Sequence, residues 1–157
     1  MKAITLKQPW AYLVCSGVKD IENRTWKCPE KYIGEMVLIH ASKDEKLDVS
    51  ALNRPQLRVA YPVLSKHEMF DSKKFDRGGI IGSVRITGYT INHPSVWAKK
   101  TEGTMVGHTF VTPKGVKTIY NWILEDAILF DEPILNVKGK LSFWDFDLPE
   151  EYERLLK

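Results

Sequence analysis

Three ionisable side chains lie close together near the start of the chain. Lys19, Glu22 and Arg24 place two cations and one carboxylate within six residues. If this segment is a strand, Glu22 and Arg24 project from the same face, because side chains alternate between the two faces. Lys19 follows Gly17 closely, so we place it at the turn into that strand. Neighbouring charges perturb each other's protonation, so the three side chains form a candidate site.

These residue types are suited to binding a polar, phosphorylated ligand. Arg24 and Lys19 can hold a phosphate or a carbonyl group. Glu22 can accept hydrogen bonds from the exocyclic amine of a base, as carboxylates do with cytosine. Lys19 or Glu22 could also act as a general base on a water or a ribose hydroxyl. The alternative without a function is a solvated edge strand that carries an ion pair.

The elements around these residues position them between a short helix and a strand. Residues 3–7 alternate apolar and polar side chains, which predicts a first strand. Pro9 suits the first turn of a helix, Trp10, Leu13 and Val14 recur at helical spacing, and Gly17 ends the segment. Gln8 and Trp10 therefore lie near the start of that helix, beside the candidate site.

The rest of the chain is mainly strand-like. His40 falls at the end of a compact apolar run, where a histidine is more often a core residue than a catalyst. Gly82 and Gly88 interrupt a β-branched segment and indicate bulges or close backbone approach. We expect strands at residues 36–41, 80–91, 117–130, 134–137 and 141–146, a turn at 131–133, and a short C-terminal helix that starts at Pro149.

Two long segments do not fit this pattern. Residues 43–77 are charged and broken by prolines, and we expect them to decorate the domain, with short helices at 48–52 and 63–70. Residues 92–116 form a long connection, and loops of this length are usually functional or mobile. The connection suits contact with a single strand of nucleic acid because it is both aromatic and basic, through Trp97, Lys99, Lys100, Phe110 and Lys114.

Composition limits the class of protein. The 157 residues predict a single domain, and the formal charge of +3 permits nucleic-acid binding without requiring it. The two cysteines lack metal-ligand spacing and are predicted to be free thiols, and the four histidines are scattered. We expect no metal and no cofactor. We find no signal peptide and no membrane-spanning run, so we expect a cytoplasmic protein.

Several motifs in this order resemble the ASCH domain family, a group with a PUA-like β-barrel. The signature G-x-K-x-x-E-x-R is present as Gly17, Lys19, Glu22 and Arg24. Further matching stretches are Gln8-Pro9-Trp10-Ala11, Ile39-His40-Ala41, residues 79–82, Trp122-Ile123-Leu124-Glu125, Val137-Lys138-Gly139-Lys140 and Phe143-Trp144-Asp145. The resemblance implies a mixed α+β, mainly β fold: a pseudo-barrel of about six strands with a short helix beside a cleft and a few peripheral helices.

The resemblance also implies a ligand site in that cleft. It suggests binding of RNA or of a modified, nucleotide-like base, with the tryptophans offering stacking faces. The expected ligand-binding residues are Gln8, Trp10, Lys19, Glu22, Arg24, Trp26, His40 and Trp122. The oligomeric state stays open.

Two alternatives remain at this stage. Some small ASCH proteins are amidohydrolases that remove an acetyl group from acetylated cytidine, and others have been proposed as ribonucleases. In such an enzyme Lys19 and Glu22 would be the catalytic candidates. However, Glu22 stands where the amidohydrolases have a threonine nucleophile, and residues 80–91 lack their glutamate. The second alternative is a ligand-sensing or protein-interaction module that uses the same cleft.

Overall fold

The computed structural model describes all 157 residues, and its centre is a six-stranded sheet. The strands of the whole chain are β1 (Lys2–Leu6), β2 (Ile21–Arg24), β3 (Met36–Ala41), β4 (Gly79–Thr90), β5 (Thr104–Val106), β6 (Thr109–Val111), β7 (Tyr120–Leu135) and β8 (Trp144–Asp145). The helices are α1 (Trp10–Cys15), α2 (Arg54–Lys66) and α3 (Glu150–Glu153). Single 3₁₀ turns cover Glu30–Tyr32, Val49–Ala51, Ser72–Lys74 and Arg154–Leu156.

The sheet is mixed and open. Its strand order is β2-β7-β4-β3-β1-β8, and β5 pairs separately with β6. β1 and β3 run parallel, whereas the other neighbouring strands are antiparallel. β2 and β8 are the two edges, so the hydrogen-bonded strands do not form a closed ring. The predicted fold class, mixed α+β with about six strands and few helices, is confirmed.

α1 covers one face of the sheet next to the candidate site. Every residue from Ala11 to Cys15 is buried, and the helix packs against β3, β4 and β7. Gly17 follows the helix with φ +81°, a left-handed conformation that glycine adopts without a steric cost. The predicted helix and its glycine stop are therefore confirmed. After Gly17 the chain turns into β2, so Lys19 lies just before the first residue of that strand.

β4 and β7 form the long central pair of the sheet, and bulges bend them. The register shifts between Ile80 and Gly82 and again between Ile86 and Gly88, as the two glycines predicted. The turn predicted at residues 131–133 is wrong, because β7 continues through it to Leu135. Ile80 pairs with Ile134 and Gly82 pairs with Leu129, so residues 130–133 bulge from the strand. Pro133 is tolerated there because a bulge does not need its missing N–H.

The segment of residues 43–77 contains a longer helix than predicted. α2 begins at Arg54, because Asn53 and Gln56 form a capping box, and it continues through Pro62 to Lys66. The helix predicted at 63–70 is thus wrong in both bounds, because Pro62 lies inside α2 and does not break it. The helix expected at 48–52 is a single 3₁₀ turn, Val49–Ala51.

Two further segments differ in detail from the prediction. The connection of residues 92–116 contains the hairpin β5–β6, whose turn includes Gly107 at φ +62°. Trp97 in this connection is buried and packs edge-on against Trp10, with 6.4 Å between the ring centroids. The last predicted strand, 141–146, is reduced to β8, and residues 136–143 between β7 and β8 form a loop.

Candidate functional site

The three residues of the charged signature form one row of contacts. The Lys19 Nζ lies 3.2 Å from Glu22 Oε2, and the Arg24 Nε lies 3.2 Å from Glu22 Oε1. The paired β2 and β7 place Glu22 opposite Trp122 and Arg24 opposite Tyr120, so Glu22 and Arg24 share a face as predicted. One carboxylate therefore contacts both cations.

Lys19 is an interior residue. Its side chain is 5% exposed, and its ammonium donates to the carbonyl oxygen of Ile21 as well as contacting Glu22. The Trp10 ring lies 5.8 Å from the same ammonium, measured to the ring centroid. The charge of Lys19 is thus held by a carboxylate, a carbonyl and an aromatic face.

Arg24 faces the other way, into a large cleft. Its Nη2 donates to the carbonyl oxygen of Thr5 over 3.3 Å, and its guanidinium carbon lies 5.9 Å from the centroid of the Trp122 ring. The side chain is 25% exposed. These contacts orient the guanidinium while leaving part of it open to a ligand.

The large cleft, as we call it from here on, has a volume of about 730 Å³ and lies over β1 and the loop that follows β7. Apolar side chains such as Ile4, Leu6 and Val137 line it together with Trp26 and His40. Its cations are Lys7, Arg24, Lys43, Lys138 and Lys140, and no aspartate or glutamate lines it. The cleft therefore combines an apolar lining with a positive potential.

Three of these five cations carry no ion pair. Lys7 Nζ lies 3.0 Å from Asp44 Oδ2 at the rim, and Arg24 contacts Glu22. The hydrogen bond from the Lys46 backbone N–H lowers the pKa of the Asp44 carboxyl below its usual value, and the hydrogen bond from Lys7 adds to this effect. The carboxyl therefore stays ionised beside Lys7. Lys43, Lys138 and Lys140 are exposed and are left to neutralise an anionic ligand.

His40 lies at the buried side of the large cleft. It is 2% exposed, and its Nε2 lies 2.7 Å from the carbonyl oxygen of Val137, which makes Nε2 the protonated nitrogen. Its Nδ1 has no hydrogen-bond partner. Burial lowers the pKa of His40, and the Val137 bond offsets part of this effect. His40 is therefore a neutral residue whose second nitrogen is an unused acceptor.

The remaining signature residues line a small pocket of about 150 Å³. Its walls are Trp10, Lys19, Glu22, Asn23, Gln56, Trp97 and Lys99. Lys19 and Glu22 thus face a different space from Arg24, although Glu22 contacts both cations. The sequence predicted one site here, and the structure divides its residues between the large cleft and the small pocket.

Two further expected ligand residues are buried away from both the large cleft and the small pocket. Gln8 is 1% exposed; its Nε2 donates to the Asp76 carbonyl and its Oε1 accepts from the Tyr12 backbone N–H. Trp122 is fully buried, and its Nε1 donates to the Trp26 carbonyl over 3.1 Å. Neither residue lines the large cleft or the small pocket.

The lysines of the large cleft were missed by the sequence reading. Lys7, Lys43, Lys138 and Lys140 come from three separate loops and lie far apart along the chain. In the sequence, Lys138-Gly139-Lys140 contributes only to the resemblance to the ASCH family. Its two lysines around a glycine, just after a strand, were the one local signal for a basic loop.

The cysteines offer no reactive thiolate at neutral pH. Cys15 and Cys28 are both buried and free, as predicted. Burial raises the pKa of Cys28 to about 11 and raises that of Cys15 further. Neither cysteine is therefore a candidate nucleophile, because the thiolate and not the thiol is the reactive form.

The fold and the cleft together define a small, mainly β domain with one open, positively charged groove. The ASCH domain model matches residues 4–134, and the chain belongs to the ASCH domain family. No curated protein matches the chain. No helix of the structure combines the length and the apolar composition that crossing a bilayer requires.

Solved structures of the same family share the fold. The ASCH protein from Zymomonas mobilis aligns with a TM-score of 0.51 and 15% identity, covering 99% of this chain and 92% of that one. A serine-to-alanine mutant of the Zymomonas mobilis protein aligns with a TM-score of 0.50 and 14% identity, covering 99% and 93%. At this identity the likeness concerns the fold alone.

Proposed function

We propose that this protein binds single-stranded RNA and seats one of its nucleotides in the large cleft. The observation that carries the proposal is the composition of the cleft: five cations and no carboxylate around an apolar lining. Phosphates are held mainly by lysine and arginine, and an apolar lining accepts a base. Lys43, Lys138 and Lys140 are the phosphate contacts, because no carboxylate competes for them.

The base would lie beside Trp26. This ring is half-buried and lies edge-on to Trp122 and Phe143, with centroid distances of 4.7 Å and 5.9 Å. The two neighbours fix its orientation and leave part of it at the cleft, where a base can stack. The cleft volume is within the range of small-ligand pockets, so a base that carries an extra acyl substituent would also fit.

Hydrolysis is less well supported than binding. The contacts of the Lys19 ammonium are Glu22, the Ile21 carbonyl and the Trp10 ring, and none of these is a hydroxyl or thiol nucleophile. We therefore treat Lys19 and Glu22 as positioned charges, with a catalytic role as the alternative. Mass spectrometry of the RNA and of acetylated cytidine, incubated with the wild type and with Lys19→Ala, tests that alternative directly.

The binding proposal is tested by removing two cleft lysines. In fluorescence anisotropy with a labelled single-stranded RNA, Lys138→Ala/Lys140→Ala should weaken binding at least about tenfold and flatten its salt dependence, because two phosphate contacts are lost. The matched control is Lys66→Ala/Lys73→Ala, which removes the same charge from α2 and the turn after it, outside the cleft. Equal affinities for the two double variants would contradict the proposal.

A further inference from the structure

Aromatic and basic side chains continue beyond the large cleft. Trp26 lines the cleft, and the next residue, Lys27, is exposed with its Nζ 5.9 Å from the centroid of the Tyr120 ring. The Tyr120 ring lies 5.9 Å from the Tyr89 ring at an interplanar angle of 90°. We call Trp26, Lys27, Tyr120 and Tyr89 the aromatic track.

The sheet register places the track on the face that carries the cleft arginine. Arg24 pairs with Tyr120 across β2 and β7, and Tyr89 pairs with Trp122 across β4 and β7. Paired residues of antiparallel strands share a face, with Cβ atoms about 5 Å apart. Trp122 and Tyr120 are two positions apart on β7 and thus also share that face. The track is therefore continuous with the cleft.

The aromatic side chains of the track are partly exposed at the margin of the core, and its lysine is exposed. Tyr89 and Tyr120 are both half-buried, in contrast to the fully buried Trp122 beside them. Lys27 forms no ion pair, and its ammonium lies over the ring of Tyr120. A free cation next to partly open rings is the combination with which proteins hold a nucleic-acid strand: the cation binds phosphate and the rings stack on bases.

We infer that the ligand is a single strand that leaves the cleft across the aromatic track, so that the site takes an oligonucleotide rather than an isolated nucleotide. This inference rests on the proposed function, because the cleft supplies the first nucleotide position. It adds Lys27, Tyr120 and Tyr89 as binding residues that the cleft itself does not contain.

A length series tests the inference. Binding of the uridine dinucleotide and of octauridylate is measured by competition against the labelled RNA. The wild type should bind the octamer about a hundredfold more tightly, above the statistical gain from multiple registers, because stacking on two tyrosines adds to the contacts in the cleft. Lys27→Ala and Tyr120→Leu should each weaken octamer binding several-fold and leave dinucleotide binding unchanged, whereas Tyr120→Phe should retain the wild-type affinity.

The matched control is Lys31→Ala. Lys31 is exposed and also lies over a tyrosine, 5.0 Å from the Tyr32 ring centroid, but outside the track. An octamer advantage no larger than the statistical gain, or equal effects of Lys27→Ala and Lys31→Ala, would overturn the track and leave the cleft proposal standing. If Lys138→Ala/Lys140→Ala weakened neither probe, the proposed function and the track would both be overturned.

Discussion

Glu22 lies between two cations and is the only acid that contacts either of them. Lys19 and Glu22 have side chains that are 5% and 12% exposed, whereas Arg24 is open to the cleft. A surface ion pair contributes little to stability, but removal of one partner from a buried pair leaves an uncompensated charge. At the scale of single residues, Glu22 is thus a largely buried counter-charge and not part of a solvated edge strand.

The variant Glu22→Gln should lower the free energy of unfolding by about 2 to 3 kcal/mol, because the buried ammonium of Lys19 loses its counter-charge. Urea unfolding measures the change. The control is Glu150→Gln, which removes an exposed pair with Arg154 and should cost less than about 1 kcal/mol. A loss for Glu22→Gln as small as that for the control would show that the pair behaves as a surface contact.

The burial of His40 predicts that the stability of the protein depends on pH. Its pKa in the folded protein is lowered by burial, so below about pH 6.5, the ordinary histidine pKa, the unfolded chain binds this proton more readily than the folded protein. The contribution of neutral His40 is fully present above that pH and is lost as the pH falls toward the folded-state pKa. The free energy of unfolding should therefore decrease as the pH is lowered from neutral to mildly acidic values.

The variant His40→Gln should remove part of that decrease, because glutamine does not titrate and its amide can still donate to the Val137 carbonyl. His67→Gln, at an exposed position, serves as the control and should keep the wild-type pH profile. The hypothesis fails if the stability of His40→Gln falls with acidification as steeply as that of the wild type.

At the scale of elements, the loop after β7 approaches the sheet closely at Gly139. A Cβ on Gly139 would lie 2.7 Å from Cε1 and 2.8 Å from Nδ1 of His40, and 2.9 Å from Oγ1 of Thr5. Only a glycine permits this approach. The loop it anchors carries Lys138 and Lys140, so the position of two cleft cations depends on the absence of a side chain between them.

The variant Gly139→Ala should displace this loop. We expect a loss of about 1 to 3 kcal/mol in unfolding free energy from overpacking, together with weaker RNA binding because the two lysines move. Gly88→Ala is the matched control: no atom lies within 4 Å of its added Cβ, and its effect should stay within about 0.5 kcal/mol. Wild-type stability and affinity for Gly139→Ala would show that the loop adapts freely.

At the scale of the whole molecule, the net charge is small but the acidic and basic residues are unevenly distributed. The chain has 23 basic and 20 acidic residues, yet none of the acids lines the large cleft. Asp44 and Glu22 each neutralise one cleft cation from its margin. Three lysines then remain for phosphate, and this number sets the expected salt dependence.

The logarithm of the RNA association constant should fall with the logarithm of the KCl concentration with a slope of about −2, since each phosphate contact to a single strand contributes about −0.7. A contact from Lys27 would bring the slope closer to −3. Anisotropy titrations over a series of KCl concentrations measure it. A slope near zero would show that the ligand is recognised without phosphate contacts.

Local patterns in the sequence were sufficient for most elements and for part of the site. Gly17, Gly82 and Gly88 marked a helix stop and two bulges, because a glycine that ends a helical run or interrupts a β-branched run is visible in the local sequence pattern. The alternation of Glu22 and Arg24 predicted their shared face for the same reason. The order of the motifs along the chain was also sufficient to identify the ASCH family and its fold class.

The tertiary structure alone decided how these residues are grouped. It paired β1 with β3 in parallel, carried β7 through Pro133, and brought Lys7, Lys43 and Lys138 to one cleft while burying Gln8 and Trp122. It also separated Arg24 from Lys19 by turning them toward different pockets. Such groupings depend on contacts between residues that are distant along the chain, so no local periodicity in the sequence records them. The exposure of each side chain and the charges around it are set by the neighbours that the fold brings to it.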